Sequence, residues 1–291
     1  MIAGDEGAGD SLTTGTDAEG SLMNPDPRNM TMQRRVPPDE ARARFPRGLA
    51  QPEGSYRFAV DSLLLSAFIP PREGSMLLDI GAGCGVVGLA ALCAYPGISV
   101  FGVEREPELA GAARNNREVL GFQKQLRVVE ADIGSRELFI SGPGSRGEKG
   151  LPEAAFDVVL ANPPFRQADK GRVPPSPLRA RALFEKVDTL TLFCRCAARA
   201  LRPEGRFGIL YDASREYFLL EELEEAGLAP VRLLPVRALP GKEPFRILVE
   251  ACLRPLSRGA IPVQRRDPLT IYDKNGRPGE EAMRFCPFLA G

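Results

Sequence analysis

Four consecutive residues combine a carboxamide, two prolines and an aromatic ring: Asn162, Pro163, Pro164 and Phe165. They follow the apolar run 156–161, which is typical of a buried strand. Because proline has no N–H to donate to a sheet ladder, the strand must end at Asn162. In an open α/β sheet, ligands bind at the carboxyl ends of the strands. The motif therefore predicts a clamp for a flat base that carries an amino group.

A glycine-rich turn follows a second buried run and contains Gly81, Ala82, Gly83 and Gly85. Glycines let the backbone approach a ligand closely, and the helix predicted to follow has free N–H groups at its start. Asp79 lies just before the turn, where a carboxylate repels a pyrophosphate but attracts an ammonium group. The GxGxG spacing also differs from the GxGxxG of dinucleotide-binding proteins. These features favour a cofactor with an amino-acid end, such as S-adenosylmethionine, over NAD.

Two further acids follow the next predicted strands. Glu104 closes the second strand, where a carboxylate is placed to accept both hydroxyls of a ribose. Asp132 follows the third strand, where it is placed to accept from the amino group of an adenine. Because the carboxyl ends of parallel strands meet at one edge, we expect Asp79, Glu104 and Asp132 to face a single crevice.

The composition removes several kinds of catalysis. The 291 residues include no histidine, which excludes Ser-His-Asp and Cys-His catalysis and HExxH metal sites. The six cysteines lack zinc-site spacing, and with no visible signal sequence they are expected to be free thiols in the cytoplasm. Basic and acidic residues balance at 38 each, which argues against a chain that coats nucleic acid in bulk. No apolar stretch is long enough to cross a bilayer.

Alternating strands and helices must position these residues. Strands are predicted over 76–80, 98–103, 126–130, 156–161, 206–211, 231–236 and 246–253, and helices over 60–69, 86–94, 107–120, 182–200 and 215–226. This alternation predicts a mostly parallel sheet with helices on both faces. Only a Pro-Gly turn separates the last two strands, which are therefore predicted to form an antiparallel hairpin.

Four segments are expected along the chain. Residues 1–30 are rich in Gly, Asp, Ser and Thr and are predicted to be a disordered tail. Residues 31–53 contain a run of arginines and are predicted to be a basic linker. A globular domain is expected over 54–273, with a flexible insertion at 141–155. The remaining residues, 274–291, are assigned to a C-terminal tail.

The glycine turn, the second-strand acid and the NPPF motif together resemble class I S-adenosylmethionine-dependent methyltransferases. A narrower part of the chain resembles the bacterial tRNA(Val) adenine-N6 methyltransferase family, through Tyr56-Arg57-Phe58, Asp61-Ser62-Leu63-Leu64-Leu65 and Pro240-Gly241-Lys242-Glu243. The resemblance covers about residues 51–273. It implies a Rossmann-like α/β fold with a seven-stranded, mostly parallel sheet, and S-adenosyl-L-methionine as the cofactor.

The resemblance also implies roles for individual residues. Those expected to hold the cofactor are Phe58, Asp61, Asp79, Gly81, Ala82, Gly83, Gly85, Glu104, Asp132 and Asn162. Those expected to act in catalysis are Asn162, Pro163, Pro164 and Phe165, with oxygens of the Asn162 side chain and the Pro163 backbone accepting from the amine and Phe165 stacking on the base. Without the resemblance, a structural explanation of Phe58 and Asp61 fits equally well. Phe58 would then be an apolar residue at the start of a helix, and Asp61 a solvent-exposed acid. Basic residues between 166 and 181 either hold phosphates or form a solvated loop.

The implied function is methylation of N6 of an anticodon-loop adenine in tRNA, by a cytoplasmic protein, most simply a monomer, without metal or membrane. Three alternatives stay open. One is a guanine-N2 methyltransferase that acts on ribosomal RNA, and another is a glutamine-amide N-methyltransferase that acts on protein. The third is a non-catalytic cofactor-binding protein that serves as an RNA chaperone. The lack of a large extra domain favours a small RNA substrate over the first two, and the intact acids and Asn162 count against the third.

Overall fold

A computed structural model of the protein describes residues 37–53, 55, 59–140, 150–164, 166–167, 184–185, 188–255 and 262–290. The predicted tail over 1–30 and most of the predicted insertion lie outside these residues. Among the helices of the described ranges, none is both long and apolar enough to cross a membrane.

The described part of the chain alternates between strands and helices, as predicted. The strands are β1 (Met76–Ile80), β2 (Ser99–Glu104), β3 (Leu126–Glu130), β4 (Phe139–Ile140), β5 (Leu151–Pro152), β6 (Phe156–Ala161), β7 (Arg166–Gln167), β8 (Phe184–Glu185), β9 (Leu201–Asp212), β10 (Leu228–Arg237), β11 (Arg246–Leu253), β12 (Gln264–Arg265) and β13 (Leu269–Thr270). The helices are α1 (Pro38–Ala43), α2 (Val60–Phe68), α3 (Val86–Ala94), α4 (Pro107–Val119), α5 (Thr189–Ala200), α6 (Glu216–Glu225) and α7 (Glu280–Phe285).

The main sheet has the strand order β3-β2-β1-β6-β9-β11-β10, and β12 and β13 both pair with β10. The first five strands of this order are mutually parallel, and β11 runs antiparallel to both of its neighbours. The predicted parallel sheet and C-terminal hairpin are therefore confirmed. Within the described residues, the sheet has nine strands and not the predicted seven. The two additional strands are the short β12 and β13, which pair with the outer edge of β10.

Two apolar layers enclose the sheet. Alternate residues of a strand point to opposite faces, so Leu77 joins one core cluster and Leu78 the other. The first cluster contains residues of α2, α3 and α4, and the second contains residues of α5 and α6. Both faces of the central strands are therefore buried, which explains their nearly continuous apolar sequences.

Several predicted boundaries are wrong for a common reason. The helix predicted over 182–200 begins only at Thr189, because Phe184–Glu185 pairs as a strand with Arg166–Gln167. Strands β9 and β10 begin earlier than predicted, and each has a ladder irregularity in its early part, between Leu201 and Arg206 in β9 and between Pro230 and Arg232 in β10. Pairing with a distant segment leaves no mark on local periodicity.

The segments at both ends of the predicted domain pack against it. Phe45 and Cys286 are buried in the same core cluster, and the rings of Phe45 and Phe288 meet edge to face at 5.1 Å. The Cys286 thiol also donates to the carbonyl of Leu63 in α2 over 3.3 Å. Residues 37–53 and 274–290 are therefore parts of the folded domain, and the predictions of a linker and a C-terminal tail are wrong for them. In both segments, isolated aromatic residues among charged ones supply the packing.

Asn116 ties the N-terminal segment to the glycine turn. Its side-chain nitrogen donates to the carbonyls of Ala50 and Cys84, over 3.0 and 2.9 Å, and its oxygen accepts from the Ala50 N–H over 2.7 Å. Asn116 is 1% exposed, and the Cys84 carbonyl that it binds is buried with it. One buried side chain in α4 therefore adds hydrogen bonds between two segments that also share an apolar core.

We expect Asn116→Ala to lower the free energy of unfolding by about 1–3 kcal/mol, because it leaves buried backbone groups unpaired. The matched control is Asn115→Ala, since Asn115 is the exposed neighbour in the same helix. This control is expected to change stability by less than about 0.5 kcal/mol. Urea unfolding followed by circular dichroism measures both, and equal midpoints for the two variants would contradict the assignment.

Candidate active site

The sheet topology brings the predicted site residues to one edge. In the order β2-β1-β6, Ile80 is in register with Val103 on one side and with Ala161 on the other. Glu104 and Asn162 each follow one of these register partners, so they flank the turn that begins at Gly81. The carboxyl ends of three adjacent parallel strands thus supply the residues that the sequence singles out.

The glycine turn has a backbone that needs glycine. Gly81, Gly83 and Gly85 have φ angles of +71°, +58° and +86°, a region that residues with a Cβ seldom adopt. A Cβ at Gly81 would also approach the ring of Phe193 to 3.1 Å. A Cβ at Gly83 would meet no atom of the described residues within 4 Å, so no part of the described chain covers that side of the turn. A ligand can therefore reach the Gly83 backbone directly.

Glu104 is fixed beneath the turn. One carboxylate oxygen accepts from the Gly83 N–H over 2.8 Å, and the other accepts from the Glu106 N–H over 2.9 Å. Burial raises the pKa of Glu104 above its ordinary value, and the backbone N–H bonds oppose that rise. Each oxygen retains a further lone pair, so the oriented carboxylate can still accept from two hydroxyls.

Asp79 is the more deeply buried acid, at 2% exposure, and accepts from the Gly88 N–H at 3.1 Å. Burial raises the pKa of Asp79 to about 7, the Gly88 bond opposes the rise and the charge of Glu104 adds to it. Burial therefore favours the protonated form of the carboxyl, whereas an approaching cation favours its ionised form. The neighbouring Cys84 thiol is no nucleophile here, because burial raises its pKa to about 12.

Of the two polar atoms in the side-chain amide of Asn162, one has a hydrogen-bond partner among the described residues and the other has none. Its Nδ2 donates to Oγ of Ser62 over 3.2 Å. Its Oδ1 is buried and has no hydrogen-bond donor among the described residues. Buried side-chain oxygens are rarely left in this state, and such an exception calls for an explanation. The oxygen that the predicted clamp requires as an acceptor is the one without a partner.

Helix α2 contributes two polar residues beside this amide. Ser62 is 6% exposed, and it belongs to the stretch 61–65 that carries the family resemblance, although the resemblance implied no role for it. Asp61 is 5% exposed and accepts from Nε of Arg246, the first residue of β11, over 3.0 Å. Asp61 is therefore a buried, paired acid, and the alternative of a solvated acid is wrong. Its predicted contact with the cofactor stays a prediction.

The structure does not bring Asp132 into the buried group. The strand β3 ends at Glu130, and Asp132 lies two residues further along with its side chain 51% exposed. It accepts from the N–H of Gly134 over 2.8 Å, and Nη1 of Arg105 lies 3.8 Å away. Asp132 follows β3, which pairs with β2, and its predicted role toward an adenine stays a prediction.

Phe58 and Phe165 lie outside the described residues, as do the side chains of the basic positions 166–181.

The donor and acceptor groups at this edge fit S-adenosylmethionine. Gly83 offers an open backbone, Glu104 offers an oriented carboxylate for ribose hydroxyls, and Asp79 offers a counter-charge for an ammonium group. No set of three or more Asp, Glu or Cys side chains within the described ranges is placed to hold a metal ion.

Comparison with known proteins agrees with this geometry. A family model described as a precorrin methyltransferase domain matches residues 57–138, which include the glycine turn and Glu104. The solved structure of a predicted O-methyltransferase, Atu636 from Agrobacterium tumefaciens, superposes with a TM-score of 0.60 at 20% identity, over 79% of this chain and 96% of that one. At this identity the likeness shows the fold alone, and it confirms the predicted class I architecture.

Curated relatives extend the similarity beyond the fold. The tRNA1(Val) (adenine(37)-N6)-methyltransferase of Porphyromonas gingivalis is 30% identical over 240 residues, which cover 80% of this chain and 88% of the relative. The protein of the same name from Dyadobacter fermentans is 25% identical over 228 residues, covering 78% and 86%. These matches confirm the predicted resemblance, and the chain belongs to the tRNA1(Val) (adenine(37)-N6)-methyltransferase family of S-adenosylmethionine-dependent enzymes.

Proposed function

We propose that the protein methylates N6 of an adenine in the anticodon loop of tRNA, at position 37 as in the names of its relatives, with S-adenosyl-L-methionine as the methyl donor. The observation that carries the proposal is the buried Oδ1 of Asn162, which lies at the end of β6 beside the glycine turn and has no donor among the described residues. An exocyclic amine supplies the N–H that this oxygen lacks.

The chemistry that these residues perform is hydrogen-bond activation. The N6 lone pair of adenine is delocalised into the ring, which makes the amine a poor nucleophile. Acceptance of its two N–H bonds by Asn162 Oδ1 and the Pro163 carbonyl draws the nitrogen toward a tetrahedral shape and localises that lone pair. The bound cofactor supplies an electrophilic methyl group on its sulfonium. Much of the acceleration then comes from holding the amine in line with that group.

No general base is needed in this scheme. The methylated amine is cationic and strongly acidic until it loses a proton, and water takes that proton. The chain contains no histidine, and this absence is consistent with a site that works by orientation and hydrogen bonding. Asp79 and Glu104 hold the cofactor and take no part in proton transfer.

Contacts with the RNA are proposed from the sequence. Phe165 follows the clamp and stacks on the target base, as aromatic side chains do for unpaired nucleotides. Basic residues of the segment 166–181 hold phosphates on either side of it. An anticodon-loop adenine is already largely unpaired, so the enzyme needs little energy to extrude it. Because its substrate is tRNA, the protein is proposed to act in the cytoplasm.

The purified protein is expected to transfer labelled methyl from S-adenosylmethionine to unmodified tRNA(Val) and to produce N6-methyladenine at position 37, detected by mass spectrometry of nuclease fragments. Ribosomal RNA and a protein fraction are offered in parallel. Label on guanine N2 in ribosomal RNA, or on glutamine in protein, would replace the proposal by one of the two rival activities. A tRNA(Val) with guanine at position 37 is the matched control and is expected to stay unlabelled.

Asn162→Ala is expected to lower the single-turnover rate by about 10²- to 10³-fold, because the acceptor for the developing charge on the amine is lost. Cofactor affinity, measured by calorimetry, is expected to change little. The exposed Asn115→Ala serves as the control for an asparagine-to-alanine change and is expected to keep the wild-type rate. Transfer at the wild-type rate by Asn162→Ala would refute the clamp.

The raised pKa of Asp79 predicts how the stability of the cofactor-free protein depends on pH. An unfolded aspartate has a pKa of about 3.9, whereas burial raises the pKa of Asp79 to about 7 in the folded protein. The folded state therefore binds the proton more tightly. The resulting stabilisation is fully present below about pH 4 and is lost as the pH rises through about 7.

Melting temperatures of the wild type and of Asp79→Asn, recorded from pH 5 to 8 without cofactor, test this dependence. The wild type is expected to lose stability relative to the isosteric variant as the pH rises, since the variant has no group to ionise at this position. The difference isolates Asp79 from the other titrating groups. A difference that stays constant with pH would show that Asp79 is not buried as described.

A further inference from the structure

Ser62 is the residue that holds the Asn162 amide. It lies in the first turn of α2, 6% exposed, and its Oγ is 3.2 Å from Nδ2 of Asn162. The two residues are 100 positions apart in the sequence. The described part of the chain offers the amide no other side-chain partner. Among the described side chains, the orientation of this amide is therefore held by one hydroxyl.

The geometry of a carboxamide makes this contact directional. Its oxygen and nitrogen branch from the same planar carbon, so a contact that holds Nδ2 also fixes the direction in which Oδ1 points. In this structure Nδ2 contacts Ser62, and Oδ1 is the buried atom without a donor among the described residues. Without the serine, the amide is free to rotate about its last side-chain bond, and an NH₂ group facing the substrate amine accepts nothing.

The serine is itself held in place. Its neighbour Asp61 forms a buried ion pair with Arg246 over 3.0 Å, and Nη1 of Arg246 lies 3.8 Å from Oδ2 of Asp212. These contacts fix the first turn of α2 to the start of β11 and to the end of β9. Side chains locked by such contacts lose little entropy when they order a reacting group.

We propose that Ser62 is a positioning residue for the transfer reaction, which acts by orienting the Asn162 amide so that Oδ1 accepts from the substrate amine. The inference rests on the proposed function, because it assumes that Asn162 activates an amine. Ser62 touches neither the amine nor the cofactor in this assignment. Its effect must therefore appear in the rate of transfer and not in cofactor affinity.

Single-turnover kinetics of Ser62→Ala provide the test. The rate is expected to fall about 10- to 100-fold, as small misplacements of a reacting group do, while the dissociation constant of the cofactor stays within about twofold of the wild type. Ser62→Thr restores a hydroxyl and is expected to recover part of the rate. The matched control is Ser66→Ala, because Ser66 is equally buried in α2 but donates to Leu63 of the same helix. This control is expected to keep the rate within about twofold.

A double-mutant cycle separates positioning from a general effect on the fold. In the Asn162→Ala background, adding Ser62→Ala is expected to lower the rate no further, because the amide that the serine positions is already absent. Additive losses in the double variant would refute positioning, and so would a wild-type rate for Ser62→Ala alone. A wild-type rate for Asn162→Ala is a different result, since it would refute the amide clamp of the proposed function itself.

Discussion

Burial of Asp79 and Glu104 beneath the glycine turn requires hydrogen bonds, and the N–H groups of Gly88 and Gly83 provide them. A carboxylate removed from water without such partners costs several kcal/mol or takes up a proton. The two acids therefore constrain the backbone as much as the backbone constrains them. The turn, the start of α3 and the ends of β1 and β2 form one unit, and the open side of Gly83 is the surface that this unit leaves for a ligand.

The antiparallel strand β11 contributes to the site because its direction is reversed. Parallel strands present their last residues at this edge, whereas an antiparallel strand presents its first. Arg246 begins β11 in register with Asp212, the last residue of β9, and it pairs with Asp61 of α2. The reversal thus brings the guanidinium of Arg246 to the edge where the parallel strands end, within reach of the buried Asp61. That cation holds the helix on which Ser62 lies.

The sequence was sufficient to predict those features that depend on local pattern. Strands β1, β3 and β6 have the predicted bounds, because each is an apolar run ended by glycine, acid or proline. Asp79, Glu104 and Asn162 lie at the ends of three adjacent strands, because parallel pairing brings strand ends to one edge. The contact of Ser62 with Asn162 joins residues 100 positions apart, and neither the apolar helical pattern nor the resemblance of the stretch 61–65 predicts this contact. Asp132 lies two residues past the end of β3 with its side chain half exposed, and its predicted contact with an adenine stays a prediction.

The packing of the C-terminal segment links remote residues to the site. Cys286 donates to a carbonyl of α2, and Phe288 packs on Phe45 beside it, so the helix that carries Ser62 is buttressed by the last described residues of the chain. A protease cut or a truncation after the final long strand would remove that buttress without touching a single residue of the clamp. If removal of this segment abolished activity, the cause would therefore be a displaced helix α2. Truncation experiments alone would then wrongly assign the C-terminal residues to the active site.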